Sequence, residues 1–318
     1  MNNKKCPFCS SENCIRKGLQ MGHQRWQCRD CNKKFQANKK VLPSKEELFC
    51  LYVFNKQSLN ELAQEYHMRR DFFQEMFDAV SFKEKIHSPR PIALCVDTTF
   101  FGEFGVVVFR DQKKKEDLWW EFVLEEKLNY YLQGKIVLEH LGYTIVSVTA
   151  DGLPGLPNIF NGIPFQYCHF HARKTITTYL TRKPKTLAGV ELVDIMKRLK
   201  SYNHETFVQT ITSWKVKHQA FLLEKTVHPE ESWSYTHRKL RSAIRSMMYM
   251  SSYLFTYQHN ISLKIPTTTN TLEGHFSHIK VRCGVHRGIS QTRMRKLITA
   301  ILLNSTVKYQ KGMHEKLF

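Results

Sequence analysis

Residues 91–109 read PIALCVDTTFFGEFGVVVF. Ile92–Val96 is a short apolar run ending in Asp97, and Phe104–Phe109 is a second run, rich in valine. Short runs rich in β-branched and aromatic residues, bounded by turn residues, are strand signals. Leu118–Leu124 is a third such run, with two tryptophans. The segments between them, FFGEFG and the charged RDQKKKED, are turns, so an antiparallel meander is expected. Leu132, Ile136, Val137 and Leu141 then mark a helix. Thr144–Ala150 is a fourth strand that ends in Asp151. Ile163–Cys168 is a fifth, followed by a helical stretch from His169. Strands reached through helices join a sheet in parallel.

Three strands, helix, strand, helix, strand, helix is the order of an RNase H-like α/β sheet. In that order the first and fourth strands are neighbours. Asp97 and Asp151, at their ends, then converge where open α/β sheets assemble sites. Two such carboxylates repel unless a cation lies between them. Oxygen ligands favour Mg²⁺ or Mn²⁺. Taken singly, an Asp is usually a turn or cap residue, and Asp151 in TADGLPG belongs to an Asp-Gly turn pair.

A third carboxylate is expected on a later helix, and Glu273 in TTTNTLEGHFSHIKVRCGVHRG is the candidate. Asn270 or Thr271 starts that helix. Glu273, Ser277 and Lys280 share one face, while Phe276 and Ile279 suit the sheet. Lys280 and Arg282 are expected beside the metal site, where a DNA phosphate rests. The plainer account is an exposed helix of mixed charge. Between Asp151 and Glu273 lie 121 residues, far more than one connection needs. They pattern as helices over 186–200, 204–222 and 235–258. The catalytic region is therefore expected over 90–318, interrupted by an all-α insertion at about 182–265. Trp214 and Trp233 fit core packing better than base stacking.

Four of the nine cysteines form one pattern, Cys6-x2-Cys9 and Cys28-x2-Cys31. Two such knuckles suit one tetrahedral Zn²⁺, and a segment of about forty residues needs a staple of this kind. A zinc ribbon over 1–40 is expected. Cys14 and His23 are potential substitute ligands. Arg16, Lys17 and Arg25, beside Trp26, mix cations with an aromatic as nucleic-acid surfaces do. Trp26 and Phe35 fit better as cover for the metal site. Residues 44–88 read as a helical region resembling a helix-turn-helix. Ser44 precedes Glu46 and Glu47, Ser58 and Glu61 fit a capping box, and a further helix starts near Arg70. Plain packing of a small bundle is the alternative.

Lys and Arg total 48 against 28 Asp and Glu, a net charge of +20, so a polyanion partner is expected. The surplus is uneven: +8 over 1–40, −5 over 41–171, +10 over 172–272 and +7 over 273–318. The acidic middle needs metal ions, or its basic flanks, to hold a DNA strand. No apolar run is long enough to span a bilayer. The opening MNNKKCPFCS has no signal-peptide core, so a cytoplasmic protein is expected, nucleoid-associated where its polyanion partner is DNA. With no GxGxxG or Walker loop, a small-molecule substrate is not expected.

The ordered set of zinc ribbon, helical region, Asp97, Asp151, helical insertion and Glu273 resembles a DDE transposase of a bacterial insertion sequence. The Mutator-like superfamily is the nearest match. Its members carry Cys-x2-His after the second Asp, and Cys168-His-Phe-His171 in FQYCHFHARK is similar. NTLEGHFSHIKVRCGVHRGIS is similar to the family's last-acid helix, and CPFCSSEN…RWQCRDCNKKF to the ribbons of related transposases. The resemblance implies strand cleavage and strand transfer with two Mg²⁺ or Mn²⁺ ions held by Asp97, Asp151 and Glu273. It further implies binding of terminal inverted repeats and target DNA, and a homodimer on DNA. Cys168 and His171 are left either as supporting residues, a metal half-site included, or as strand-end packing. The rivals are a non-catalytic zinc-ribbon DNA-binding regulator, as in a domesticated transposase, and an RNase H-like nuclease such as a junction resolvase.

Overall fold

The computed structural model describes residues 5–20, 23–36, 42–230, 232–305 and 317–318. The chain divides into two compact units, Met1–Val80 and Ser81–Phe318.

In the first unit, β1 (Cys14–Gln20), β2 (His23–Cys28) and β3 (Lys34–Gln36) form an antiparallel meander. Each Cys-x2-Cys knuckle closes with a left-handed residue just after its second cysteine, Ser10 at φ 60° and Asn32 at φ 57°. Trp26 is buried and faces Phe35 across the β2–β3 pair. Three helices follow: α1 (Lys45–Phe54), α2 (Leu59–Tyr66) and α3 (Arg70–Asp78). Both expected starts are full capping boxes, Ser44 with Glu47 and Ser58 with Glu61. α2 stops at His67, which is left-handed at φ 54°, and the chain turns into α3. Phe49, Tyr52 and Phe77 pack in the small core with Leu48, Leu62 and Phe73.

The second unit holds a mixed sheet of β4 (Pro91–Phe101), β5 (Phe104–Asp111), β6 (Glu116–Val123), β7 (Thr144–Ala150) and β8 (Phe165–Tyr167). The order is β6-β5-β4-β7-β8. β4, β5 and β6 pair antiparallel, whereas β7 joins β4, and β8 joins β7, in parallel. Between β6 and β7 runs α4 (Leu128–His140), and between β7 and β8 the short α5 (Leu156–Ile159). Their side chains Tyr131, Leu138 and Leu156 cover a sheet face built from Ile92, Leu94, Val96, Val107, Phe109 and Val148. Gly134 allows α4 this close, because a Cβ there would lie 2.6 Å from the Phe109 ring.

After β8 come α6 (His169–Leu180), α7 (Leu187–Lys197), α8 (His204–Lys217) and α9 (Gln219–Leu223). Then follow β9 (Lys225–Val227), β10 (Trp233–Tyr235), α10 (Arg238–Leu254) and α11 (Thr256–His259). This part has its own core, including Ile176, Leu192, Met196, Phe207, Trp214 and Met247. It is not wholly helical as expected, since β9 and β10 form an antiparallel hairpin. Those three-residue strands carry little apolar burial, and Trp233 stays exposed with Lys225 Nζ 3.8 Å over its ring. Trp214 is a core residue, as expected. Gln166 fastens the insertion to the sheet edge, donating to Leu254 O at 2.9 Å and accepting from Tyr257 N at 3.0 Å. The chain returns through α12 (Asn270–Val285), which packs against β4, and α13 (Gln291–Leu303), which packs against β6. No helix among the described residues is long and apolar enough to cross a membrane.

Candidate functional site

The site starts from an irregularity in β7. Ile92 of β4 pairs with Ile145, but Ala93 pairs with Ser147, so Val146 is an extra residue. Ile145 and Val148 thereby both face the α4 side, although three residues apart. The offset then holds through Cys95 and Thr149, the last pair of the ladder. Continued two residues further, it sets Asp151 opposite Asp97. Side chains alternate along a strand, so Asp97 falls on the face away from α4, and Asp151, just past the end of β7, lies near enough for its charge to act on Asp97. Without the extra residue, Ala150 would stand there.

Asp97 is not at a strand end, as the sequence suggested. β4 continues through Thr98–Phe101, residues well suited to extended backbone, and pairs with β5 up to Phe101 and Phe104. Asp97 instead marks where β4 loses β7 as a neighbour. It is 8% exposed, and its Oδ1 accepts from Thr98 N at 2.9 Å. Burial, with the Asp151 charge adding to it, pushes Asp97 up to about 7, against the pull of His171. Burial also raises the pKa of Asp151. Asp151 Oδ1 accepts from Leu153 N at 3.3 Å, a turn contact. The glycine after it has a packing reason as well, because a Cβ on Gly152 would lie 1.8 Å from the Tyr167 hydroxyl.

Cys168 continues the β8 pairing, its N–H donating to Ala150 O at 2.8 Å, and stands at the head of α6. His171 lies one turn into α6. Across from them, Thr269 is fully buried at the head of α12. Its N–H donates to Cys168 Sγ at 3.3 Å, and its hydroxyl donates to Glu273 Oε1 at 2.8 Å. His171 Nδ1 lies 3.9 Å from Glu273 Oε1. Burial opposes the imidazolium, but the neighbouring Cys168 sulfur and the carboxylates of Asp97 and Asp151 push His171 up to about 9. Burial also opposes ionisation of Cys168, yet the interactions with His171 and Thr269 lower its pKa. His171 thus senses the charges of Asp97 and Asp151 and lies close to Glu273.

A fourth carboxylate, Glu126, belongs to this edge of the sheet. Burial and the Asp151 charge raise its pKa, and Tyr131 Oη donates to its Oε1. Tyr131 in turn meets Thr98 Oγ1 at 2.9 Å, next to Asp97. β6 runs parallel to β4, two antiparallel steps away, so the segment after β6 emerges on the same edge as Asp97. That topology was the available signal for Glu126, and residue type alone was not.

Lys280 is exposed on the same face of α12 as Glu273, 5.9 Å over the Phe101 ring. Arg282 departs from the expectation. Nine residues beyond Glu273 at about 100° per residue, it lies half a turn round the helix, away from that carboxylate. Burial lowers its pKa there.

In the first unit Cys6, Cys9, Cys28 and Cys31 bring their sulfurs within 4.8 Å of one another, and could hold a structural metal such as zinc. Cys6–Cys31 and Cys9–Cys28 are 3.6 and 3.5 Å apart. Tetrahedral Zn–S bonds of about 2.3 Å require roughly 3.8 Å, so the fit is close. Backbone N–H groups, that of Cys31 first, lower Cys28 to about 6 against burial. Ser11 acts in the same sense on Cys9, but burial and the other thiols push it up to about 12. A cation lets all four ionise together. Cys14 stands outside the set, with its Sγ directed to Ser11 O, and the His23 side chain lies outside the described residues. Arg16 sits over Trp26 at 5.5 Å, on that residue's face of the ribbon. Lys17 and Arg25 alternate to the other face, so the three cations do not form one patch.

No family model matches the chain, and no curated protein matches it.

Proposed function

We propose that this chain is a DDE transposase of the insertion-sequence type that its sequence resembles, cleaving and joining DNA at Asp97, Asp151 and Glu273. The observation that carries the proposal is the one-residue offset in β7, whose register, continued, brings Asp151 level with Asp97, with His171 linking the pair electrostatically and Glu273 by proximity. The sheet order β6-β5-β4-β7-β8, antiparallel then parallel, supports an RNase H-like core. The four-cysteine knuckle, the helical region after it and the +20 charge support DNA as partner, read as terminal repeats and target.

The reading assigns a pair of hard divalent ions to these three acids. Asp97 is a buried and Asp151 a half-buried oxygen donor whose ionisation is disfavoured by burial, and the half-buried Glu273 is proposed as the third ligand. Bound Mg²⁺ or Mn²⁺ supplies an activated oxygen nucleophile and charge stabilisation at an in-line phosphodiester displacement. The chain's own groups do the rest. Thr269 holds Glu273 by one hydrogen bond and Cys168 by another, which fixes the helix to the strand end. Lys280, exposed on the Glu273 face, meets a phosphate. No covalent protein intermediate is required: water nicks the transposon end, and the freed 3′-hydroxyl attacks target DNA. Two ends must meet, so a dimer on DNA is proposed.

The test is Mg²⁺-dependent nicking of end-containing DNA by the full chain, followed by joining to target. Asp97→Asn and Glu273→Gln should bind DNA and fail to nick. Normal cleavage by either variant contradicts the assignment. Cleavage without joined products favours an RNase H-like nuclease, and binding without nicking by the native chain favours the regulator.

A further inference from the structure

Cys168, His171 and Glu273 gather a sulfur, an imidazole nitrogen and a carboxylate oxygen within 4.8 Å of one another. That donor set differs in kind from the oxygens of Asp97 and Asp151. We propose that these three residues bind one zinc-class divalent cation, leaving a fourth position open. Thiolate and imidazole select such an ion over Mg²⁺. Three mixed protein ligands with one open position is an arrangement that zinc accepts.

The geometry is built from two helix heads. Cys168 and His171 sit one turn apart at the start of α6, on the same side of it. Glu273 comes from the first turn of α12. His171 Nδ1 is buried, has no hydrogen-bond partner among the described residues, and lies 3.9 Å from Glu273 Oε1. Bonds of about 2.0–2.3 Å in a tetrahedron place ligand atoms roughly 3.3–3.8 Å apart. The His171–Glu273 pair therefore needs a contraction of about half an ångström, and both already lie within 4.8 Å of the Cys168 sulfur. The supporting groups are already in position: Thr269 N–H donates to the sulfur at 3.3 Å and Thr269 Oγ1 to the carboxylate at 2.8 Å. Outer hydrogen bonds of this kind orient metal ligands and sustain affinity.

Glu273 belongs to both donor sets, and this consequence rests on the proposed phosphodiester chemistry. A zinc-class ion on Cys168 and His171 draws Glu273 from Asp97 and Asp151, so Zn²⁺ in slight excess over protein inhibits Mg²⁺-dependent nicking.

The site itself is tested without DNA. Full-length protein is equilibrated with Zn²⁺ under reducing conditions, freed of excess metal and analysed for bound zinc. Two zinc ions per chain are expected, one in the four-cysteine knuckle, and one per chain in His171→Ala. A single zinc in the native chain, or two in His171→Ala, overturns the proposal. Because Cys168 is fully buried, replacing it can unfold the protein, so ¹¹³Cd NMR of the native chain supplies the second measurement. Two resonances are expected, one typical of four sulfurs and one of a single sulfur. Only the second is lost in His171→Ala, and only the first in Cys6→Ser. A lone four-sulfur resonance in the native chain overturns the proposal. Neither readout depends on strand cleavage, so failure of the transposase assignment leaves both intact.

Discussion

The charge of Asp151 acts on Asp97, and the β4–β7 register, carried two residues past its last pair, brings the two level because β7 holds Val146 as one residue more than β4 between two of their paired positions. The extra residue serves the apolar core, keeping Ile145 and Val148 on the α4 side. Its by-product is that two acids come level with each other at this end of the sheet. Core packing and the candidate chemistry therefore depend on the same register, since a one-residue slip moves a whole side-chain set across the sheet.

The acids are expected to be required for chemistry and not for DNA capture. Asp97→Asn, Asp151→Asn and Glu273→Gln should each lower Mg²⁺-dependent nicking by at least ~100-fold, more than the loss of an outer-shell partner gives. A mobility-shift titration should find their DNA affinity near that of the native chain.

Gly152 is expected to tolerate no side chain. Its Cβ would lie 1.8 Å from the hydroxyl of Tyr167, a buried residue of β8. Gly152→Ala should cost about 1–3 kcal/mol, as overpacking does, read as a lower urea midpoint. A midpoint equal to that of the native chain would mean that the close approach is not present in solution.

Without Mg²⁺, stability should fall as pH rises. Asp97 is raised from 3.8 to about 7, so its contribution is present below its unfolded value and lost as pH rises through about 7. His171 is raised from 6.5 to about 9, and its contribution is lost as pH rises through about 9. Thermal melts should therefore show added Mg²⁺ raising Tm more at about pH 8 than at about pH 6. An equal rise at both values would count against charge opposition among these groups.

The ribbon is expected to depend on its metal. Removing it by chelation, or substituting Cys28→Ser, should unfold the strands over residues 14–36 while amide signals from residues 91–150 persist. DNA affinity should drop with it. Lys17→Ala should reduce the slope of log affinity against log salt by about 1 if that side chain meets a phosphate.

The strands of the sheet were legible because Ile92–Val96, Phe104–Phe109 and Thr144–Ala150 are apolar runs between turn residues, and burial dictates such runs. Both helix starts at Ser44 and Ser58 were legible for a local reason, since a capping box spans only four residues. The pairing partners of Asp97 were not legible. Whether β4 ends at Asp97 or runs to Phe101 depends on β5, and the offset at Val146 depends on which face Ile145 must fill. Thr269 carried no signal, because its two hydrogen bonds reach a strand end 101 residues away in one case and its own helix in the other. The hairpin of Lys225–Val227 and Trp233–Tyr235 escaped because its strands are short and mostly exposed. Arg282 was within reach of helix arithmetic: nine residues from Glu273 already places it on the far side.

The most direct test is the position of Mn²⁺ by anomalous scattering in crystals of the full chain soaked with that ion. Peaks coordinated by oxygens of Asp97, Asp151 and Glu273 are expected. Mn²⁺ found only at acids elsewhere on the molecule, with these three carboxylates bare, would contradict it.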